Sequence, residues 1–409
     1  MSTDDRLHAL DAVRAGALLG GVVLHATLSF LPGMQGWAYA DSHPSAFLGG
    51  VFFALHTFRM TAFFLIAGFF AHMSFHRKGL RGFALDRLKR IGVPMVAAWP
   101  LLFAAIMALW IWGGIAATGA PPRPPPAPPG GGPLLAFPLL HLWFLYVLML
   151  LYAATLAVRG LVALADRSGR LRQGLDVLVR AVLGSVVAPL LLAAPLTATL
   201  FLSPRWMFWL GIPTPDHSLI PSPAAAVAFT VAFSAGWLLH RQPDLLQVWK
   251  GRWIPNLIAA LVLTAVCLVT SQTVTAGHPP AAGWEKLAHA GLYALTGWVC
   301  VLAVIGLALR FLSGHAPAIR YLADASYWIY LVHLPLVVAL QILVGPLDLP
   351  WPVKFVAIVA TAMGLMLGSY QLFVRYGFIG AVLNGRRRRP ERPAREGRAV
   401  SPAAPPATV

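Results

Sequence analysis

The chain has 409 residues, of which 58% are hydrophobic and only 11% charged. A soluble domain carries about 25% charged residues, and the mean hydropathy here is +0.72, which excludes a solvated globular enzyme, a disordered chain and a nucleic-acid binder. The formal net charge of +17 then reads as the arginine excess that multi-pass membrane proteins keep on the cytoplasmic side.

About 20 apolar residues cross a bilayer. Ten such runs follow in chain order: 12–32, 46–74, 91–116, 134–158, 177–202, 221–240, 254–275, 286–310, 324–345 and 352–376. The predicted fold is therefore all-α, a polytopic bundle of about ten transmembrane helices. The fifth and sixth runs are the least regular, with Pro189 and Pro195 in one and Pro221 and Pro223 opening the other. Placing the N-terminus in the cytoplasm puts 26 of the 31 Lys and Arg on the inner side or just inside the adjoining helix ends. Arg123, Arg205, Lys286 and Lys354 fall outside, and Arg59 lies within a span. This alternation predicts both termini in the cytoplasm. The acidic start, Asp4 and Asp5, and a first run long enough to span predict no cleavable signal. Cys267 and Cys300 lie inside apolar runs and predict no disulfide.

Two organisational units follow. Residues 1–376 form the membrane-embedded domain, and 377–409 an Arg/Pro/Ala-rich cytoplasmic tail that reads as disordered. The run Arg386 to Arg389 serves as a topology anchor or touches anionic headgroups. The outer loop at 117–133 is a stiff proline-rich spacer.

An ionisable side chain at mid-bilayer costs roughly 2.5–3.5 kcal/mol on insertion scales and marks a functional candidate. His25, His56, His72, His141, His289, His333 and Arg59 lie within spans, and every carboxylate sits at a membrane edge or beyond. A proton- or sodium-driven transporter relies on a buried carboxylate, so that class, including a flippase for an anionic glycan, is the weaker alternative. Arg14 precedes His25 by eleven residues, which is about 16 Å and three helical turns. This stripe suits a ligand with an anionic head at the rim and a reactive end at depth. His56 and Arg59 are one turn apart, at a depth near that of His25. Arg87 and Arg90, at i and i+3, can chelate phosphates. Ser326, Tyr330 and His333 share one helical face. For each group the structural alternative is a hydrogen bond that holds helices together. There is no H-x4-D box, G-x-S-x-G, Walker A, Rossmann or H-E-x-x-H signature. Any chemistry must use the embedded histidines, and no metal site is predicted.

Together these pieces resemble the acyltransferase type 3 family of bacterial integral membrane acyltransferases. The matching residues are R-L-H-A-L-D-A-V-R (6–14) with the Arg14-x10-His25 spacing, F-R-M-T-A-F-F-L-I-A-G-F-F (58–70), the Arg87-x-x-Arg90 pair, H-L-W-F-L (141–145) and S-Y-W-I-Y-L-V-H (326–333). F-R-M and the closing V-R-Y-G-F-I-G-A-V-L-N-G look most like the glucan biosynthesis protein C branch. Thr61 and Ala67 stand where the family has Pro and Ser. The resemblance implies an inner-membrane enzyme that moves an acyl group, succinyl or acetyl, from cytoplasmic acyl-coenzyme A to a hydroxyl of a periplasmic glycan or lipid-linked sugar. It implies no permanently bound cofactor, contact with membrane lipid and no nucleic-acid partner. It carries over Arg14, His25, Arg87 and Arg90 as functional positions. In that reading His25 is the general base or an acyl-carrying nucleophile. His56 with Arg59, or Tyr330 with His333, steadies the thioester oxygen; Arg59 alternatively binds a succinyl carboxylate.

Overall fold

A computed structural model describes residues 3–34, 36–121, 136–204, 206–273, 283–314 and 316–385, and every regular element among them is helical. The helices are α1 (Thr3–Thr27), α2 (Ala46–Arg87), α3 (Val93–Thr118), α4 (Trp143–Ala165), α5 (Arg170–Gly184), α6 (Ala188–Leu202), α7 (Pro223–Leu239), α8 (Leu245–Gly251), α9 (Trp253–Thr273), α10 (Trp284–Phe311), α11 (Pro317–Val344), α12 (Trp351–Ser369) and α13 (Phe378–Asn384). Among the described residues, seven segments are long and apolar enough to cross a membrane. The chain is thus a multi-pass membrane protein.

One of the seven, Ala46–Thr118, runs 73 residues, or about 110 Å, more than three times a bilayer core of about 30 Å. Positions 75–90, expected as a loop, are helical, because their Arg, Lys and Leu are good helix formers. The stretch is not one straight rod: two helices meet at a kink at Gly79, whose φ is 67° and ψ 179°, a region reserved for glycine, and a π-helical turn, Leu88–Gly92, follows.

The predicted span 177–202 is not one helix. α5 meets α6 at 100° across a short break. Pro189, at the head of α6, lacks the N–H that a continuous helix would need. Leu171, Leu175 and Leu178 form an exposed apolar stripe on α5, as on a helix lying along a membrane surface. Its last carbonyls are capped from α8 and beyond: Trp249 Nε1 donates to Leu183 O at 2.9 Å and Arg252 to Gly184 O at 2.9 Å. α6 has 15 residues and α7 has 17, about 22 and 25 Å.

At the other end of the chain, α13 extends the packed body past the expected boundary at 376. Leu383 is buried, and Asn384 Nδ2 donates to Asp324 O at 2.8 Å. Residues 386–409, and 122–135 of the proline-rich loop, lie outside the described residues.

The bundle is held by close helix crossings. A Cβ added at Gly68 of α2 would collide with the Phe233 carbonyl of α7, and one at Gly236 with the Leu65 carbonyl. Such mutual small-residue contacts let two backbones touch inside a membrane. α1 lies between α2 and α11, and this arrangement positions the site. The loop after α1 folds back over its end. Asp41 and Ser45 donate their N–H groups to Ser29 O and Phe30 O, each at 2.8 Å. Lys354 of α12 holds Asp41 at 2.9 and 3.1 Å and also donates to Gly345 O at 2.8 Å. Both side chains are buried, so this carboxylate is sequestered from water.

Candidate active site

Four segments converge on a chamber of about 30 Å³, room for one or two waters or the reacting atoms of a substrate. α1 contributes Ala17, Gly21 and His25; α2 contributes Arg59; the turn before α4 contributes His141; α11 contributes Tyr330 and His333. Arg59 reaches the chamber because α1 carries two glycines at the crossing. A Cβ at Gly21 would stand 2.6 Å from Arg59 Nη1, and one at Gly20 3.5 Å from its Cδ. The guanidinium donates to Ala17 O at 3.4 Å. His141 follows Leu140, the only non-glycine residue with positive φ (54°) among the described residues. Such backbone strain persists where surrounding structure over-determines it.

The hydrogen bonds fix which nitrogens are available. His333 Nδ1 lies 2.7 Å from Tyr330 O, and His141 Nε2 lies 3.1 Å from Leu331 O. A carbonyl only accepts, so each of these nitrogens carries the proton. The opposite nitrogens, His333 Nε2 and His141 Nδ1, are buried without partners among the described residues and, in the neutral rings, are acceptors. Tyr330 already donates its hydroxyl proton to His141 O at 2.6 Å. Of the groups expected to steady an oxyanion, Tyr330 and His333 thus have their protons engaged. Arg59 Nε is the buried N–H left without an acceptor. His25 Nδ1 is likewise buried and unpartnered. The His25 ring lies 5.1 Å from His333, which lies 5.3 Å from His141. Native proteins satisfy most buried polar atoms, so four unpartnered ones around one small chamber mark a place for polar substrate atoms.

Below the chamber opens a vestibule of about 470 Å³. Leu18, Phe63, Phe144 and Tyr330 line both cavities, so the two are neighbours across a shared wall. Its wall carries Arg14, Arg77, Lys78, Arg87 and Arg90 against Asp86 and Asp324. Asp86 organises the cations: Lys78 Nζ lies 2.6 Å away, Arg90 Nε 3.0 Å and Arg87 Nη2 3.6 Å. Arg87 lies over the rings of Phe83 and Tyr152, which fixes its plane. Arg14 pairs with Asp11 at 3.0 Å and rests over Phe70. Arg14, Arg87 and Arg90 thus line the vestibule, and His25, Arg59, Tyr330 and His333 line the chamber.

His56 is separate: it stacks on Phe52 and lies beside the backbone of Leu210 and Ile212, and it does not line the chamber. His72 pairs with His240, and His289 packs on Phe208. Among the described residues, no group of three His, Cys, Asp or Glu is arranged to hold a metal. Sequence reasoning passed over His141 as a site residue, the Gly20–Gly21 notch and the Asp86 clamp; the Gly-Gly pair inside a helix was a visible signal for the second.

The chain is 24% identical over 387 residues to the glucans biosynthesis protein C of Salmonella paratyphi B, covering 93% of this chain and 95% of that one. The glucans biosynthesis protein C of Salmonella heidelberg aligns at 24% over 384 residues, with the same coverage. No solved structure matches. The model of the acyltransferase 3 family, described as an acyltransferase domain, matches residues 7–370; with nearly the whole chain covered, this membrane protein is an acyltransferase of that family.

Proposed function

We propose that the protein transfers an acyl group, succinyl or acetyl, from cytoplasmic acyl-coenzyme A to a hydroxyl of an extracytoplasmic glycan. The observation that carries this reading is a cationic vestibule that shares a wall with a histidine chamber. Coenzyme A is a polyphosphate with a long thin arm. Its phosphates suit Arg14, Arg87 and Arg90, and its thioester reaches His25. The printed names of the relatives, glucans biosynthesis protein C, support a glycan acceptor.

His25 takes the proton of the acceptor hydroxyl as the oxygen attacks the thioester carbon. The carbonyl oxygen becomes an oxyanion facing Arg59, whose unpartnered N–H suits developing charge. Collapse breaks the carbon–sulfur bond, and His25 returns its proton to the leaving thiolate. The product is an ester plus coenzyme A. The acceptor lone pairs of His333 and His141 suit the polar hydrogens of the incoming sugar and of protonated His25.

The topology belongs to the same reading. With Ala46–Thr118 divided at its bends and α6 and α7 each counted as a crossing, the chain passes the inner membrane ten times, with both termini in the cytoplasm. The arginine-rich vestibule then faces the coenzyme A pool.

The test uses purified protein in lipid nanodiscs with succinyl- or acetyl-coenzyme A and a neutral glucan. Free thiol should appear in step with a glucan mass increased by one acyl group. Glucan-independent binding with no transfer from either donor would overturn the assignment.

A further inference from the structure

We propose that Gln341 of α11 is a positioning residue for His25, acting through the end of α1 and through the ring of Trp37. The proposal rests on the reading of His25 as the base.

The imidazole of His25 has no hydrogen bond at Nδ1 among the described residues. Its place is set by the backbone at its root and by rings on its faces. Trp37 stacks on it at 6.2 Å with an interplanar angle of 15°, and His333 lies at 5.1 Å. Gln341 controls both the root and the stacked ring. The last carbonyls of a helix lack intrahelical donors. At the end of α1 the Thr27 hydroxyl donates to Leu24 O at 2.7 Å, and Gln341 Nε2 donates to His25 O at 2.9 Å and Ala26 O at 3.2 Å. The other end of the same amide accepts from Trp37 Nε1 at 2.8 Å. An indole N–H only donates and a carbonyl only accepts, so both ends agree on one orientation of the amide. The residue is 1% exposed, and no water competes for these bonds.

The loop that carries Trp37 is fixed independently by Asp41 and Lys354. Loss of the Gln341 amide therefore frees the Trp37 ring and the end of α1 without releasing the loop. Trp37 stands at the end of α1 opposite the vestibule, so the donor phosphates do not feel the change.

The test compares Gln341→Leu and Trp37→Phe with wild type in nanodiscs, by donor KM, turnover per folded protein, and the rate at which diethyl pyrocarbonate modifies His25, read by peptide mass spectrometry. Gln341→Leu should lower turnover roughly 10–100-fold, the scale of a small misplacement, leave donor KM unchanged and speed modification of His25. Trp37→Phe, which keeps a ring and loses the N–H, should shift both in the same direction by less, and it carries the test if Gln341→Leu fails to insert. Unchanged turnover and reactivity, or a loss that only tracks the amount of folded protein, would overturn the proposal. Activity retained in His25→Ala would instead remove the base assignment; a change in His25 reactivity in Gln341→Leu would still uphold the positioning.

Discussion

The vestibule and the chamber share a wall and differ in how their charged groups are held. In the vestibule Asp86 gathers Lys78, Arg87 and Arg90, and Arg14 holds Asp11, although Ser74 Oγ and Arg87 Nε are also buried without a partner among the described residues. In the chamber His25, Arg59, His141 and His333 each keep a buried polar atom without a partner among the described residues. Paired charges at an open surface give affinity at little cost to stability. Unpartnered polar atoms in a buried site are held by the fold. On the proposed function, the first region binds the donor and the second makes and breaks bonds.

Three sets of substitutions test that division, in order of expected effect. His25→Ala and His25→Asn should each lose roughly 10²–10⁴-fold in turnover, the usual worth of a general base, while coenzyme A binding, measured calorimetrically, stays as in wild type. Weakened binding would merge the two regions. Arg59→Leu should lower turnover by about 10²-fold, the scale of one oxyanion donor, for succinyl and acetyl donors alike. A loss confined to succinyl transfer would make Arg59 the carboxylate site and move part of the affinity into the chamber. Arg87→Ala with Arg90→Ala should raise donor KM about tenfold, as expected for lost charge-assisted hydrogen bonds, and leave turnover nearly unchanged because phosphate binding is uniform between ground and transition states. A fall in turnover at saturating donor would put these arginines in the chemistry.

The vestibule was more legible from sequence than the chamber. Arg14, Arg87 and Arg90 announce themselves through spacing on single helices, and the structure brings all three to one vestibule. The pairing of His25 with Arg59 and His333 depends on which helices cross, which periodicity does not encode. The tautomers of His141 and His333 depend on carbonyls a turn or a helix away. His56 shows the same limit from the other side. Its one-turn spacing from Arg59 is correct, yet its ring stacks on Phe52 and lies outside the chamber. The all-helical class was read correctly, whereas the helical stretch at 75–90 was read as a loop, and the break before α6 was missed because Pro189 is as acceptable at a helix start as it is disruptive inside one.

The stretch of α1 from Arg14 to His25 performs three tasks in one register: it places a cation at the vestibule, glycines against Arg59 and an imidazole in the chamber. Each residue in a helix turns the next by about 100°. One inserted or deleted residue between positions 14 and 25 would therefore rotate His25 away from His333 or the glycines away from Arg59, and no side-chain adjustment restores both. Within this segment substitutions act locally, whereas a change of length breaks the register that joins Arg14, the glycine notch and His25; on the proposed function its length is as much a functional property as its composition.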